Sequence, residues 1–213
     1  MFQPPPALGE RFLAAVELAA ELHGGRRLGT EIPYMAHLLV VTGLVLEDGG
    51  SEEEAIAAML HDSVEDSGGR PLLERLRRDF GARVAEIVAA CSDSLDPSTD
   101  RRSWRERKAA YVVHLPDVHD DGVLRVVLAD KVHNARSIVR DYRAEGEPLW
   151  QRFTNKSAAD QLWYYDELLT FFSARRPGPL VEDLQGAVDE LADLLAADLL
   201  AADQHAAAAL PTV

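Results

Sequence analysis

The amino-acid sequence predicts an all-α protein, folded as a compact bundle of roughly eight to ten helices. Apolar residues recur at helical spacing along nearly the whole chain. No segment shows the convincing alternation of apolar and polar residues that is typical of a half-buried strand. With 213 residues, 47% of them hydrophobic, the chain is long enough to bury one core. We therefore expect a flexible N-terminus at 1–9, a single helical domain at 10–200 and a disordered tail at 201–213.

Turn residues and capping residues separate the predicted helices. Gly49 and Gly50 end the second helix, and Ser51 with Glu54 forms a capping box that begins the third. The Val-rich GVLRVVLAD resembles a strand, but its continuation into KVHNARSIV favours a helix. The predicted helical segments, in chain order, are ERFLAAVELAAELH (10–23), YMAHLLVVTGLVLED (34–48), SEEEAIAAMLHD (from 51, running on toward Ser67-Gly68-Gly69), PLLERLRRDF (71–80), GARVAEIVAACSD (81–93, after a turn at Gly81), WRERKAAYVVHL (104–115), VLRVVLADKVHNARSIVRDYRA (123–144), QLWYYDELLTFFSARR (161–176) and LVEDLQGAVDELADLLAADLL (180–200).

The charge balance argues against a nucleic-acid partner. Acidic residues outnumber basic ones, 36 to 22, and the net charge is −14. This field repels a phosphate backbone, and no long run of Lys or Arg offsets it. A local basic pocket can still bind a small anion.

The sequence also bears on the compartment. No apolar run reaches membrane-spanning length, and the N-terminus lacks the regions of a signal peptide, so we expect a cytoplasmic protein without a membrane partner. The single cysteine, Cys91, forms no disulfide framework, which fits a reducing compartment. The sequence leaves a homodimer open, although the apolar stripe of the last helix favours packing on the protein's own core.

One apolar helix ends in a cluster of histidine and acidic residues. The run AIAAML is followed directly by His61 and Asp62, and then by Glu65 and Asp66. If the helix continues, His61 and Glu65 share one face, as do Asp62 and Asp66. Buried carboxylates and imidazoles need a compensating charge, and a divalent cation supplies one. A second His-Asp pair, at 119–120, lies in the polar stretch LPDVHDDG, which we interpret as a solvated turn.

Two further residues extend this cluster. His37 lies within the apolar helix YMAHLLVV, and Asp130 interrupts the apolar stripe of VVLADKVHN. Each has an ordinary structural interpretation by itself. Together with His61-Asp62 they form the order His, His-Asp, Asp, each on its own apolar helix. Two imidazoles and two carboxylates suit Mn²⁺, Fe²⁺ or Mg²⁺ better than a closed structural zinc site.

In the order of His37, His61-Asp62 and Asp130 along the chain, the sequence resembles the HD-domain metal-dependent phosphohydrolases. Within them, the stretches HGGRRLGTEIPYMAH, AAMLHDSVEDSGG, FGARVAEIV and LADKVHNARS resemble the (p)ppGpp hydrolase domains of RelA/SpoT enzymes and the small stand-alone alarmone hydrolases. The resemblance covers roughly residues 10 to 175.

This resemblance implies a role for each site residue. One Mn²⁺, with Mg²⁺ or Fe²⁺ as alternatives, is implied to be held by His37, His61, Asp62 and Asp130. The catalytic pair implied to orient or deprotonate the attacking water is Glu65 and Asp66. The residues implied to contact the nucleotide are Arg26, Arg27, Lys131, Asn134, Ser137 and Tyr164.

The implied reaction is release of pyrophosphate from the 3′ position of guanosine tetra- or pentaphosphate. Two alternatives stay open. One is another nucleotide phosphohydrolase of the HD superfamily, of the 5′-nucleotidase, dNTPase or NADPH phosphatase type. The other is a non-catalytic nucleotide-sensing module.

Overall fold

The computed structural model describes residues 6–92 and 102–208. Within these ranges the chain forms nine α-helices and no strand, which confirms the predicted fold class. A π-helix, Val64–Gly68, follows α3, and short 3₁₀ helices, Leu115–Asp117 and Glu147–Arg152, flank α7. The α-helices are α1 (Glu10–Leu22), α2 (Tyr34–Glu47), α3 (Glu52–Leu60), α4 (Gly69–Phe80), α5 (Ala82–Cys91), α6 (Trp104–His114), α7 (Asp121–Glu145), α8 (Ala158–Arg175) and α9 (Pro179–Ala208).

Helices α3 and α7 occupy the centre of the bundle. Every residue of α3 from Glu54 to Leu60 is buried. Helix α7 packs against α2, α3, α5 and α9, so its apolar residues are covered on several sides. A helix surrounded in this way does not need a polar face. Polar side chains on the inner sides of these two helices, such as Glu54 and Asp130, are therefore held inside the protein.

Local sequence signals place the ends of these helices as predicted. The Ser51 hydroxyl accepts from the Glu54 amide, and the Glu54 carboxylate accepts from the Ser51 amide, which confirms the capping box. The Val-rich stretch lies inside α7, as the sequence predicted. Asp120 begins α7 by accepting bonds from the amides of Gly122 and Val123. The second His-Asp pair is therefore a helix cap beside an exposed His119.

The last helix corrects one expectation. Helix α9 continues to Ala208, whereas the sequence analysis expected a disordered tail from residue 201. Alanine has the highest helix propensity of the amino acids, so an Ala-rich segment continues a helix without needing burial. Residues 209–213, like residues 1–5 of the predicted flexible N-terminus, lie outside the described residues.

The apolar stripe of α9 packs on the protein's own core, as predicted. Leu180, Leu184, Val188 and Leu191 are buried there, mainly against α7 and α8. In the described ranges, no helix combines the length and the apolar character that crossing a bilayer requires.

Candidate metal centre

Three central helices bring the predicted metal ligands together. His37 lies in the first turn of α2, His61 follows the last residue of α3, and Asp130 lies in the middle of α7. After His61 the chain turns at Asp62 and enters the π-helix, so α3 does not continue regularly to Asp66 as the face argument required. Single turns of π-helix are frequent at functional sites. This turn lets two consecutive side chains, His61 and Asp62, reach the same point.

The donor atoms of these four residues lie close together. The Nε2 atoms of His37 and His61 are 3.2 Å apart. Asp62 Oδ2 lies 3.3 Å from His37 Nε2 and 3.2 Å from His61 Nε2. Asp130 Oδ1 lies 3.3 Å and 3.5 Å from the same two nitrogens. Both imidazoles therefore face both carboxylates.

These spacings fit the donor set of a single divalent ion. Donors bound at about 2.1 Å lie about 3.0 Å apart at right angles and about 3.4 Å apart at the tetrahedral angle. The donor atoms of His37, His61 and Asp62 are mutually within 4.8 Å, and Asp130 approaches both imidazoles from α7. Two nitrogens and two carboxylate oxygens are ligands that Mn²⁺, Fe²⁺, Mg²⁺ and Zn²⁺ all accept, so the geometry supports a metal site without choosing the ion.

Hydrogen bonds on the far side of each imidazole set its orientation. His61 Nδ1 donates to the carbonyl oxygen of Ala58 at 2.8 Å, so in the neutral ring Nε2 is left without a proton. His37 Nδ1 lies 2.6 Å from His133 Nδ1, and one of these two nitrogens donates to the other. Such outer partners commonly orient metal-binding histidines.

The electrostatics of the site also favour a cation. Burial by itself disfavours charge on these groups, but in each case the neighbours outweigh it. The carboxylates of Asp62 and Asp130 raise the pKa of His61 well above its ordinary value. In return, the two imidazoles hold the pKa of Asp62 well below its ordinary value, and Lys131 with the imidazoles does the same for Asp130. Both carboxylates are therefore ionised.

The metal site adjoins a cavity of about 350 Å³. Its lining includes four cations, Arg27, Lys108, Lys131 and Arg140, and two acids. In a protein with net charge −14, this local excess of positive charge favours an anionic ligand. Tyr34 connects the cavity to the metal site, because it lines the cavity and its hydroxyl donates to Asp62 Oδ2 at 2.6 Å.

Five of the six predicted nucleotide contacts line this cavity: Arg27, Lys131, Asn134, Ser137 and Tyr164. The sixth, Arg26, does not. Its guanidinium is exposed and pairs with Glu31 at 2.6 Å, whereas Arg27 turns inward and donates to Asn134 Oδ1 at 2.5 Å. A single isolated bridge between Arg26 and Pro33 gives the loop an extended geometry there, in which consecutive side chains point to opposite sides.

The two predicted catalytic acids occupy different places. Asp66 lines the cavity, whereas Glu65 is half-buried and is absent from the described lining. Partial burial and the neighbouring Asp62 carboxylate raise the pKa of Asp66 above its ordinary value. A carboxylate with a raised pKa is better suited to accept a proton near neutral pH.

Sequence reasoning missed several residues of the site. Tyr34 and His133 each lie three positions from a ligand on the same helix, namely His37 and Asp130, and that spacing could have indicated them. His23 stacks on Tyr34 with ring centroids 4.8 Å apart and contacts Ser63 at 3.1 Å. His23 begins the stretch HGGRRLGTEIPYMAH, one of those that carry the resemblance, but the sequence analysis gave it no role. Burial lowers the pKa of His133 to about 3, so this ring is neutral.

Comparisons with known proteins agree with this geometry. The HD domain family matches residues 15–159. A guanosine-3′,5′-bis(diphosphate) 3′-pyrophosphohydrolase of Haemophilus influenzae is 32% identical over 126 residues, which are 57% of this chain and 18% of that protein. A GTP pyrophosphokinase of Streptomyces coelicolor is 34% identical over 127 residues, 58% of this chain and 14% of that protein. The chain thus spans less than a fifth of the length of these curated relatives.

A solved structure shares the fold. It is that of a metazoan ortholog of SpoT, described as hydrolyzing ppGpp and playing a role in starvation responses. It covers 90% of this chain and 96% of its own, with a TM-score of 0.61 and 22% sequence identity. Since the family match spans more than half of the sequence and includes all four residues of the His/Asp cluster, this chain belongs to the HD domain family.

Proposed function

We propose that this protein is a metal-dependent phosphohydrolase that releases pyrophosphate from the 3′ position of guanosine tetra- and pentaphosphate. The observation that carries the proposal is a compact His/Asp cluster opening onto a cationic cavity in an acidic protein. The cluster supplies a site for phosphate-ester chemistry, and the cavity supplies charge for a polyphosphorylated substrate. The reaction takes place in the cytoplasm, and a homodimer remains a prediction.

His37, His61, Asp62 and Asp130 would hold the metal, for which Mn²⁺ is our first choice and Mg²⁺ or Fe²⁺ the alternatives. When bound there, a divalent ion supplies Lewis-acid polarisation of a phosphoryl oxygen and makes water more acidic. The protein keeps these ligands ready. His61 is oriented by its bond to Ala58, and Asp62 is held by the Tyr34 hydroxyl.

Asp66 is the better of the two candidate bases. It faces the cavity and its pKa is raised, so it can take a proton from the attacking water. Glu65 lies one position away on the same π-helix and is placed to support that segment.

The cavity walls suit the rest of the nucleotide. Lys131 donates to Asp130, and Arg27 donates to Asn134, which in turn donates to Asp130. Both cations can neutralise the phosphate under attack. Lys108 and Arg140 extend the positive charge along the cavity, which suits a substrate with phosphates at more than one position. Tyr164 offers an aromatic ring close to Lys108, whose Nζ lies 5.2 Å from the ring centroid.

The names of the relatives support hydrolysis of this substrate class without deciding it. One matched protein is named as a pyrophosphohydrolase and another as a pyrophosphokinase. The site favours hydrolysis, because a His/Asp metal cluster with an adjacent carboxylate can activate water. The matched part of each relative is a small share of its length, so the activity of this chain has to be measured directly.

The test is a hydrolysis panel with Mn²⁺, covering ppGpp, pppGpp, a 5′-mononucleotide, a deoxynucleoside triphosphate and NADPH. We expect pyrophosphate from ppGpp and pppGpp in preference to the other substrates. The main product could instead be inorganic phosphate from the mononucleotide or NADPH, or triphosphate from the deoxynucleotide. Either result would contradict the proposal and identify the protein as another type of HD-superfamily phosphohydrolase. If the metal-loaded protein hydrolyses none of these compounds, the enzyme proposal fails and the non-catalytic nucleotide-sensing module is favoured.

The adjacent arginines provide a matched pair of variants. We expect Arg27→Ala to raise the KM for ppGpp by about tenfold or more, because a charge-assisted contact contributes about 1.5–3 kcal/mol. Arg26→Ala should change the KM by less than twofold, since this side chain is exposed and pairs with Glu31. Steady-state kinetics check both. Equal effects of the two substitutions would contradict the placement of Arg27 in the substrate cavity.

A further inference from the structure

The mechanism proposed above gives no role to His23, although this residue lies beside the metal site. Its side chain is buried, and it follows the last residue of α1. The loop 24–33 then returns the chain to Tyr34, the first residue of α2. The Tyr34 amide closes this loop by donating to the carbonyl oxygen of Gly25 at 3.0 Å. The end of one helix and the start of the next therefore bring His23 and Tyr34 together.

Three side chains hold the ring of Tyr34 in place. The His23 ring stacks on it, with centroids 4.8 Å apart and an angle of 12° between the planes. His37 meets the Tyr34 ring edge-on at 5.7 Å, and the guanidinium carbon of Arg27 lies 5.4 Å from its centroid. Stacked and edge-on aromatic pairs and a nearby cation are all favourable contacts of a tyrosine ring. Rotation of the Tyr34 side chain away from this position would break all three.

His23 is itself anchored to the segment that carries two of the metal ligands. Its Nε2 lies 3.1 Å from Oγ of Ser63, a fully buried residue that directly follows Asp62. The Tyr34 hydroxyl donates to Asp62 Oδ2 at 2.6 Å. The contacts therefore form a closed circuit, in which Asp62, Tyr34, His23 and Ser63 are joined in turn and the peptide bond between Ser63 and Asp62 completes it.

This circuit acts on the oxygen of Asp62 that faces the other ligands. Oδ2 is the atom that lies 3.3 Å from His37 Nε2 and 3.2 Å from His61 Nε2. Asp62 lies in the turn between α3 and the π-helix, and its side chain is 26% exposed, so regular helix packing does not fix it. Without the Tyr34 hydroxyl, the carboxylate would be free to rotate toward water. A partner that fixes a ligand before the ion arrives reduces the entropy that is lost on binding.

We propose that Tyr34 and His23 are positioning residues that set the metal affinity of this site. Tyr34 holds Asp62 Oδ2 at the point that the ligands share, and His23 holds Tyr34. The pair acts on the ion through Asp62, without contributing a ligand of its own. This inference rests on the metal site of the proposed function, but it depends neither on the identity of the nucleotide nor on hydrolysis.

The test for Tyr34 is titration of the metal-free full chain with Mn²⁺, with the free ion measured by electron paramagnetic resonance. Tyr34→Phe keeps the ring and its stacking but removes the hydroxyl, and we expect it to weaken Mn²⁺ binding by about 10–100-fold. The matched control is Tyr142→Phe, because the Tyr142 hydroxyl also donates to a carboxylate, Asp198 Oδ2, at 2.6 Å. Tyr142 lies twelve residues beyond Asp130 on α7, about 18 Å along the helix axis, so this variant should bind Mn²⁺ as the unmodified protein does.

The test for His23 uses a conservative variant and a double-mutant cycle. His23→Ala removes the stacked ring and should weaken Mn²⁺ binding by about tenfold. His23→Phe keeps a flat ring against Tyr34 and should recover most of this loss. Adding His23→Ala to Tyr34→Phe should weaken binding by less than about twofold more, because His23 acts through a hydroxyl that is already absent. A merely structural contribution of His23 would give the same additional loss in both backgrounds.

The outcomes separate this inference from the proposed function. Mn²⁺ affinity in Tyr34→Phe that equals or exceeds that of the unmodified protein would overturn the inference and leave the metal site intact. An equal loss in Tyr34→Phe and Tyr142→Phe would overturn it as well, and full additivity of the two substitutions would overturn the role of His23. Failure of the folded, unmodified protein to bind Mn²⁺ would instead remove the metal site, and with it both the inference and the proposed function. Thermal unfolding of each metal-free variant establishes that it is folded.

Discussion

Replacing Asp62 with alanine is expected to lower nucleotide hydrolysis by about a thousandfold or more while the protein stays folded. Asp62 Oδ2 lies 3.3 Å and 3.2 Å from the two imidazole nitrogens, so its removal takes away one of the four donors. A bound metal contributes several kcal/mol of charge stabilisation, and each 1.4 kcal/mol or so is a factor of ten in rate. Elemental analysis of the purified variant should show a matching loss of bound metal.

The control for this substitution is Asp193→Asn, at an exposed position of α9. It removes one negative charge from the surface, and we expect its metal content and activity to equal those of the unmodified protein. Circular dichroism and thermal unfolding should show that both variants are folded. Full metal content and full activity in Asp62→Ala would refute the assignment of this cluster as the metal site.

Replacing Arg125 with methionine is expected to lower the free energy of unfolding by about 3 kcal/mol. Arg125 donates from Nε to Asp48 at 2.9 Å and from Nη1 to Glu54 at 2.6 Å, and these three side chains are at most 17% exposed. Breaking a buried ion pair typically costs about 3–5 kcal/mol, because the remaining charge is left without its partner. We expect the lower end of that range, since Arg176 still pairs with Asp48.

A second arginine of α7 provides the comparison. Arg136 pairs with Asp183 at 2.7 Å, but both side chains are more than 40% exposed. Arg136→Met should therefore change the free energy of unfolding by less than about 1 kcal/mol. Urea denaturation of the two variants and the unmodified protein measures both values. Equal losses in the two variants would show that burial does not set the contribution of this network.

The sequence predicted the helical architecture because each helix carries its own local signals. Apolar spacing, the Ser51–Glu54 capping box and the Gly49-Gly50 turn act within a few residues, so no tertiary information is needed to interpret them. The error at 201–208 has the same origin. The lack of a hydrophobic stripe there suggests disorder, whereas the intrinsic helix propensity of alanine is sufficient to continue α9.

The positions and types of the four candidate metal ligands were also accessible from the sequence. Acids and histidines inside apolar helices need a compensating partner, so His37, His61, Asp62 and Asp130 stood out by their surroundings. Whether they meet was a different question. More than ninety positions separate the first from the last, and only the packing of α2, α3 and α7 brings their donor atoms to within about 3.5 Å in five of the pairs.

Other features depended on the tertiary structure entirely. Adjacent residues of the same type, Arg26 and Arg27, point to opposite sides of their loop, and composition cannot distinguish them. Asp66 and Glu65 are likewise adjacent acids, and only the geometry of the π-helix decides that Asp66 lines the cavity and Glu65 does not. The sequence by itself determined which segments are helical and which side chains are chemically unusual, because those properties are local. The tertiary structure decided which of them share a site, because that depends on how distant helices pack.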